Sequence, residues 1–262
     1  MFATSIRSGL KSGLRGLAIA LAVAAPLAVA QEARAQAVGL ELSLLVDASG
    51  SVDATEFNLQ KQGYVQAFQS AAVQNAILGS VGGGIAVNFI QWSGASQQAQ
   101  SVGWTLINSA ASANAFAAAI AAAPRAFAGQ TAPGSALNFA VPLFASNSFT
   151  APRQVIDISG DGEANEGANT ANARNAALAA GVDTINGLAI GDASLVAWYG
   201  ANIAGGAGSF VIQANDFGDF AAAIQQKLIR EITVPEPASL ALFGVGLAAL
   251  GMARRRRNAA SA

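Results

Sequence analysis

Short apolar runs rich in branched residues alternate along this chain with longer stretches of helical periodicity. The apolar runs predict strands that are covered on both faces, because they lack the apolar-polar alternation of a half-exposed strand. The predicted strands are 40–46, 85–91, 104–107, 155–159, 182–190 and 209–213. The predicted helices begin at about 54 and then cover 113–122, 135–144, 168–180, 195–199 and 217–229. Strands separated by helices of this length indicate parallel βαβ units. We therefore predict an α/β fold: a doubly wound, mostly parallel central sheet with helices on both faces and a short antiparallel edge strand at 104–107.

Residues 1–35 have the pattern of a secretory signal peptide. Arg7, Lys11 and Arg15 give a positive start, and an apolar stretch follows from 16 to 30. Small residues at alternate positions allow cleavage after Ala30 or after Ala35, of which we favour the second. The sequence therefore predicts export through the Sec pathway, with signal peptidase as a processing partner; an uncleaved membrane anchor is the alternative.

The C-terminal end has a different character. Residues 232–237 form a predicted linker that contains Pro235, Glu236 and Pro237, and residues 238–257 form a predicted transmembrane helix with an arginine cluster. Its sixteen apolar residues span about 24 Å as a helix, which is short for a bilayer. Arg254, Arg255 and the two arginines after them would remain in the cytoplasm, which places the preceding domain outside.

The domain between these ends, predicted at 38–231, is acidic. Residues 36–233 contain six basic and thirteen acidic side chains, a net charge of −7. This balance argues against a nucleic-acid partner and favours a cation or a basic partner. The sequence contains no cysteine and no histidine, which excludes disulfides, thiolate metal sites and Ser-His-Asp hydrolases. We therefore expect a protein that is not an enzyme.

Oxygen-bearing side chains follow two predicted strands and occupy one glycine-bounded loop. Asp47, Ser49 and Ser51 come directly after the first strand, Thr131 precedes a helix, and Asp161 follows a later strand. Asp and Ser after a strand also form ordinary turns and helix caps, and that reading stays open for the first group. The carboxyl ends of the strands form the functional edge of a doubly wound sheet. Two carboxylates and three hydroxyls there suit a hard divalent cation, first magnesium, with manganese or calcium as alternatives.

Two other acidic positions have simpler interpretations. Asp53 and Glu56 predict a capping box at the start of the first long helix. Asp157 lies inside an apolar strand, where it is either a support for the metal site or a buried acid paired with the backbone or Arg153, and we favour the pairing.

The motif Asp47-Ala48-Ser49-Gly50-Ser51, followed by Thr131 and then Asp161-Gly162, resembles the von Willebrand factor type A domain. Segments 89–94, 104–107, 155–162 and 185–190 resemble more narrowly the bacterial domain-of-unknown-function family 1194, which belongs to the same superfamily and has no established activity. In type A domains these parts form the metal-ion-dependent adhesion site. The resemblance implies Ser49, Ser51 and Thr131 as direct ligands, with Asp47 and Asp161 binding directly or through water.

The tail resembles the PEP-CTERM sorting signal, which consists of a Pro-Glu-Pro motif, a short apolar helix and arginines. This resemblance implies a Gram-negative bacterium that makes extracellular polysaccharide, with an exosortase as processing partner.

Taken together, these features predict an exported, adhesion-type module that binds a protein or matrix carboxylate through its cation. We expect it to be anchored in the membrane and then to reach the cell surface or matrix. A structural matrix protein whose metal is only stabilising is the alternative, and a metal-dependent hydrolase is a weaker one.

Overall fold

The central sheet of this protein lies within residues 35–233, the part of the chain that the computed structural model describes. Four parallel strands form its middle: β2 (Glu41–Asp47), β3 (Ile85–Trp92), β6 (Gln154–Gly160) and β7 (Thr184–Ile190). The remaining strands are β1 (Gln36–Ala37), β4 (Gln98–Ile107), β5 (Phe149–Thr150), β8 (Gly205–Gly206) and β9 (Val211–Ala214). The sheet order is β4-β3-β2-β6-β7, with β8 and β9 both pairing with the outer edge of β7.

Helices cover both faces of this sheet. They are α1 (Ala54–Gln69), α2 (Ala71–Leu78), α3 (Ala110–Ala122), α4 (Pro133–Ala145), α5 (Thr170–Ala179), α6 (Ala193–Asn202) and α7 (Phe220–Thr233). Apolar residues of α1, α2, α3 and α7 form one core cluster with the sheet, and those of α4, α5 and α6 form a second. Because both faces are covered, every residue of β2, β3 and β7 is buried. The predicted α/β fold with a mostly parallel sheet is confirmed.

Three details of the sheet differ from the prediction. The antiparallel edge strand β4 is ten residues long rather than four, because its first half is partly exposed and mixes polar residues with Ala99 and Val102, so that no apolar pattern reveals it. The two-residue strand β8 adds a second antiparallel pairing. Strands β1 and β5 form a separate two-stranded sheet, and they are too short to leave a sequence signal.

The register of the parallel strands sets the position of the polar loops. Asp47 pairs with Trp92 at the end of β3, and Val46 pairs with Ser159 near the end of β6. The strands β2 and β6 therefore end side by side. Their C-terminal loops must meet at the same edge of the sheet.

The first loop leads into α1 through a helix cap. Asp53 accepts hydrogen bonds from the backbone N–H groups of Thr55 and Glu56, and Glu56 accepts one from the backbone N–H of Asp53. The predicted capping box is present, and it fixes where the loop ends and the helix begins.

Within residues 35–233, no helix is long and apolar enough to cross a membrane. The predicted signal peptide at 1–35 lies almost wholly outside the described residues. The predicted transmembrane segment at 238–257 lies outside them entirely.

Candidate metal centre

Asp47 is a fully buried carboxylate at the C-terminal end of β2. Its Oδ1 accepts a hydrogen bond of 2.7 Å from the backbone N–H of Ser49, whereas Oδ2 has no hydrogen-bond partner among the described residues. Burial raises the pKa of Asp47 to about 7, against the opposing effect of its hydrogen bonds with Ser49. A buried carboxylate of this kind is stabilised by either a proton or a cation.

A chain of hydroxyl groups joins the first loop to the second. Ser49 Oγ and Ser51 Oγ are 3.1 Å apart, and the Ser51 hydroxyl donates a hydrogen bond of 2.7 Å to Oδ1 of Asp161. Burial raises the pKa of Asp161, and the hydrogen bond from Ser51 opposes that rise. Ser51 is exposed, so the outer end of this chain faces solvent.

Thr131 is held against the loop that carries Asp161. The backbone N–H of Asn165 donates to the carbonyl of Thr131 at 3.0 Å, and the backbone N–H of Thr131 donates to Oδ1 of Asn165 at 2.8 Å. A Cβ on Gly162 would lie 3.9 Å from the Thr131 hydroxyl oxygen. The side chain of Thr131 therefore adjoins the residue after Asp161, and the three polar segments meet.

A contact between two glycines joins the first loop to the loop that carries Thr131. The backbone N–H of Gly50 donates to the carbonyl of Gly129 at 2.7 Å, and a Cβ on Gly50 would lie only 3.2 Å from that oxygen. Ser93 supports the same loop, since its hydroxyl donates to the carbonyl of Gln130 and accepts from the N–H of Gly129. Ser93 is not among the site residues predicted from the sequence.

Arg125 organises the Asp47 loop, and its role was not predicted from the sequence either. Its guanidinium donates to the backbone carbonyls of Ala48, Ser49 and Val52, while its Nε donates to the carbonyl of Phe127. One side chain thus satisfies the carbonyls that this curved loop turns inward. The only sequence signal was weak: Arg125 is one of just six basic residues between 36 and 233.

The donor set of these residues fits a hard cation. Asp47, Ser49, Ser51, Thr131 and Asp161 offer only carboxylate and hydroxyl oxygens, which magnesium, manganese and calcium accept. Within residues 35–233, no three His, Cys, Asp or Glu side chains gather into a group that could hold a metal ion. A cation here would therefore depend on the hydroxyls as much as on the two carboxylates.

Two family models match this chain. A family model described as "Protein of unknown function (DUF1194)" matches residues 37–236. The chain belongs to the DUF1194 family. A second model, the PEP-CTERM protein-sorting motif, matches residues 233–257, which include Pro235, Glu236, Pro237, Arg254 and Arg255. Those five residues lie outside the described part of this DUF1194 protein. No curated protein is similar to it in sequence.

Several solved structures share the fold of this DUF1194 protein. Proximal thread matrix protein 1 from the mussel byssus, in a structure with a zinc-occupied MIDAS motif, has a TM-score of 0.58 at 17% identity, over 74% of this chain and 48% of that one. The pilus adhesin SpaC from Lactobacillus rhamnosus GG has a TM-score of 0.55 at 16% identity, over 74% of this chain and 30% of that one. A von Willebrand factor type A protein from Catenulispora acidiphila has a TM-score of 0.51 at 16% identity, over 75% and 43%. This chain spans less than half the length of each, and at these identities the likeness is one of fold.

Asp157 of the DUF1194 domain has a role away from the loop edge. Its carboxylate is 2.6 Å from Nζ of Lys227, which is also 2.6 Å from Oε1 of Glu231, and all three side chains are fully buried. Asn186 donates to the same oxygen of Glu231 at 2.8 Å. Asp157 is therefore a buried acid, as predicted, and it pairs with Lys227 of α7, a partner that was not predicted from the sequence.

An open cavity is lined by the loop that follows Asp161. It has a volume of about 370 Å³ and is lined by residues 164–170 together with Trp198 and Asn202 of α6. Asn165 belongs to this lining and also bonds the backbone of Thr131. The loop therefore contributes both to the candidate metal centre and to this concave surface.

Proposed function

We propose that this DUF1194 domain is an exported, non-enzymatic module that holds a divalent cation and, through it, a carboxylate on a protein or matrix partner. The cation ligands would be Asp47, Ser49, Ser51, Thr131 and Asp161. The observation that carries the proposal is the hydroxyl chain from Ser49 through Ser51 to Asp161, beside Thr131 at the C-terminal edge of the sheet. Magnesium suits this all-oxygen set, and manganese and calcium are alternatives.

Charge and exposure explain why such a site would bind an acidic group. A bound dication would neutralise the two negative charges of Asp47 and Asp161, and an open coordination position on it would accept a carboxylate oxygen from a partner. Asp47 is buried and cannot meet a partner, whereas Ser51 is exposed at the outer end of the hydroxyl chain. A partner would therefore approach from the side of Ser51 and Asp161.

The two ends of the chain support a location outside the cytoplasm. The family match to the PEP-CTERM motif implies processing by an exosortase, and the predicted signal peptide implies passage through the Sec pathway and cleavage by signal peptidase. We propose that the C-terminal segment anchors the protein in the membrane with the domain outside. After processing, the domain would reach the cell surface or the extracellular matrix.

Binding to the partner tests the proposal. The full chain, purified in detergent, is immobilised and exposed to surface proteins and matrix from the producing cells, in magnesium or in a chelator. We expect retention in magnesium, loss in chelator and loss in Asp161→Asn. The matched control is Asp192→Asn, because Asp192 also accepts a serine hydroxyl, from Ser194 at 2.6 Å, but lies at the start of α6. Equal retention with and without chelator would contradict the proposal.

A structural matrix role is the second candidate. Its support is the fold shared with a byssal thread matrix protein whose MIDAS motif holds zinc. Magnesium would then raise the melting temperature of the wild type without any cation-dependent partner. The same experiment distinguishes the two functions when melting is recorded alongside capture.

A further inference from the structure

The phenol group of Tyr199 lies next to the candidate metal centre without a partner of its own. Tyr199 stands on α6, its side chain is fully buried, and its hydroxyl has no hydrogen-bond partner among residues 35–233. Oδ2 of Asp47 is buried and unpartnered in the same part of the structure. Two polar atoms that both lack a partner are costly to bury separately.

Gly160 brings these two atoms to one place. A Cβ on Gly160 would lie 2.6 Å from Oδ2 of Asp47 and 2.7 Å from the hydroxyl oxygen of Tyr199. Both oxygens therefore face the space above the α-carbon of Gly160, at the last position of β6. Gly160 is not among the glycines with positive φ, so the glycine serves to leave room rather than to permit the backbone conformation.

Asp47 has other donors around its carboxylate, since the Ser49 hydroxyl and the backbone N–H of Asp161 both stabilise its charged form by hydrogen bonding. The backbone N–H of Ser49 occupies Oδ1, and the side-chain amide of Gln60 donates to the backbone carbonyl of Asp47 at 3.1 Å. Burial and the nearby charge of Asp47 raise the pKa of Tyr199, so its hydroxyl keeps the proton that it can donate. Tyr199 is therefore a further donor, and the one whose hydroxyl faces Oδ2 across Gly160 without a partner.

We propose that Tyr199 is a positioning residue for the cation site. Its hydroxyl donates to Oδ2 of Asp47, directly or through one water above Gly160, and so fixes the orientation of the carboxylate. This inference rests on the proposed function, because a fixed carboxylate matters only if Asp47 contributes to cation binding. Partners that orient a ligand from outside the first coordination sphere commonly change metal affinity by 10–100-fold.

The chain contains its own matched control. It has two tyrosines, and Tyr64 is equally buried, with its hydroxyl 3.4 Å from Ser159 Oγ. Tyr64 belongs to the core cluster of α1 and α7, whereas Tyr199 belongs to that of α4, α5 and α6. Tyr64→Phe and Tyr199→Phe thus each remove one buried hydroxyl, above adjacent residues of β6 but in opposite cores.

The first measurement is the dissociation constant of Mg²⁺ for the full chain in detergent, by calorimetry. We expect Tyr199→Phe to weaken binding about tenfold, with Tyr64→Phe within about twofold of wild type and all three melting alike in chelator. Equal affinities for Tyr199→Phe and wild type would overturn the inference and leave the proposed function standing. A wild type that binds none of Mg²⁺, Mn²⁺ and Ca²⁺ would overturn both.

A second measurement does not depend on how well Tyr199→Phe folds. In Tyr64→Phe, Tyr199 is the sole tyrosine, so selective ¹³C labelling of the tyrosine ring carbon that bears oxygen gives one NMR signal. We expect this signal to shift on addition of Mg²⁺ and to saturate together with binding. A signal that stays in place while Mg²⁺ binds would contradict the role of the hydroxyl.

Discussion

The hydroxyl of Ser51 donates a hydrogen bond of 2.7 Å to the carboxylate of Asp161, although 110 residues separate the two in the chain. The contact exists because β2 and β6 are neighbours in the sheet and end at the same level. Ser49 extends the connection at 3.1 Å from Ser51. The candidate site therefore depends on the pairing of two strands that are distant in sequence.

Thr131 is the ligand candidate whose hydroxyl can be removed with the least change in shape. Thr131→Val keeps the volume of this buried side chain and removes one oxygen from the donor set. We predict that the variant melts like wild type in chelator and binds Mg²⁺ about tenfold more weakly, a loss of about 1.4 kcal/mol. Calorimetric titration of the full chain measures both affinities.

The control for this variant is Thr170→Val. Thr170 is also buried, and its hydroxyl has no hydrogen-bond partner within residues 35–233. The same substitution there should leave Mg²⁺ affinity unchanged. If Thr131→Val and Thr170→Val bind Mg²⁺ equally well, Thr131 is not a ligand.

Arg125 should be irreplaceable by lysine, because its Nη2 donates to the carbonyls of Ala48, Ser49 and Val52 while its Nε donates to that of Phe127. The single ammonium nitrogen of lysine cannot occupy both donor positions. We predict that Arg125→Lys lowers the free energy of unfolding by about 1–3 kcal/mol and also weakens Mg²⁺ binding. Chemical denaturation and calorimetry measure the two effects.

Arg174→Lys is the matched substitution outside the site, since Arg174 donates to the carbonyls of Ala201 and Ala204 near the end of α6. It should cost stability without changing Mg²⁺ affinity. An Arg125→Lys chain with wild-type Mg²⁺ affinity would show that the hydrogen bonds of Arg125 do not shape the metal centre.

The buried cluster of Asp157, Lys227 and Glu231 predicts a dependence of stability on pH. Burial raises the pKa of Glu231 from its usual 4.5 to about 7, with the charge of Asp157 adding to the rise and Lys227 opposing it. The folded state therefore holds a proton that the unfolded state releases above about pH 4.5. The stability due to Glu231 is full below that pH and is lost as the pH rises through about 7.

Chemical denaturation between pH 5 and pH 8 measures this dependence. The free energy of unfolding should fall with rising pH, by at most about 1.4 kcal/mol per pH unit for each proton, and Asp47, whose pKa burial also raises to about 7, contributes with the same sign. Glu231→Gln should reduce the slope, with Asp47 and the coupled Asp157 retaining the rest. The control Glu163→Gln, at an exposed position after β6, should keep the full slope. A Glu231→Gln chain with an unchanged slope would contradict this account.

Much of the fold was predictable because burial leaves a local signal. The apolar runs at β2, β3, β6 and β7 mark strands covered on both faces, and Asp53 with Glu56 marks the start of α1. The polar half of β4 was missed because its residues are partly exposed and are held by antiparallel pairing with β3. The order of the strands in the sheet could not be predicted from local sequence either, because it is decided by contacts between distant segments.

The site was predictable only in part, for a related reason. Asp47, Ser49, Ser51 and Asp161 follow strands, so their meeting follows from the topology, while their role as ligands stays a prediction. The roles of three further residues could not be predicted. Arg125 and Ser93 form hydrogen bonds with the backbone of distant loops, and Tyr199 lies across Gly160 from Asp47. The sequence around each of them gives no indication of these partners. Lys227 and Glu231 are four residues apart on a helix, a spacing that usually indicates an exposed pair rather than a buried one.

The most direct test of the account is a calorimetric titration of Mg²⁺ into the full chain, its Ser51→Ala variant and its Ser194→Ala variant. Both serines donate to a nearby carboxylate, at 2.7 Å to Asp161 and 2.6 Å to Asp192, but only Ser51 lies at the meeting point of the three loops. We predict saturable binding by wild type and Ser194→Ala, with affinity at least about tenfold lower in Ser51→Ala. Equal titrations of all three chains would contradict the central claim.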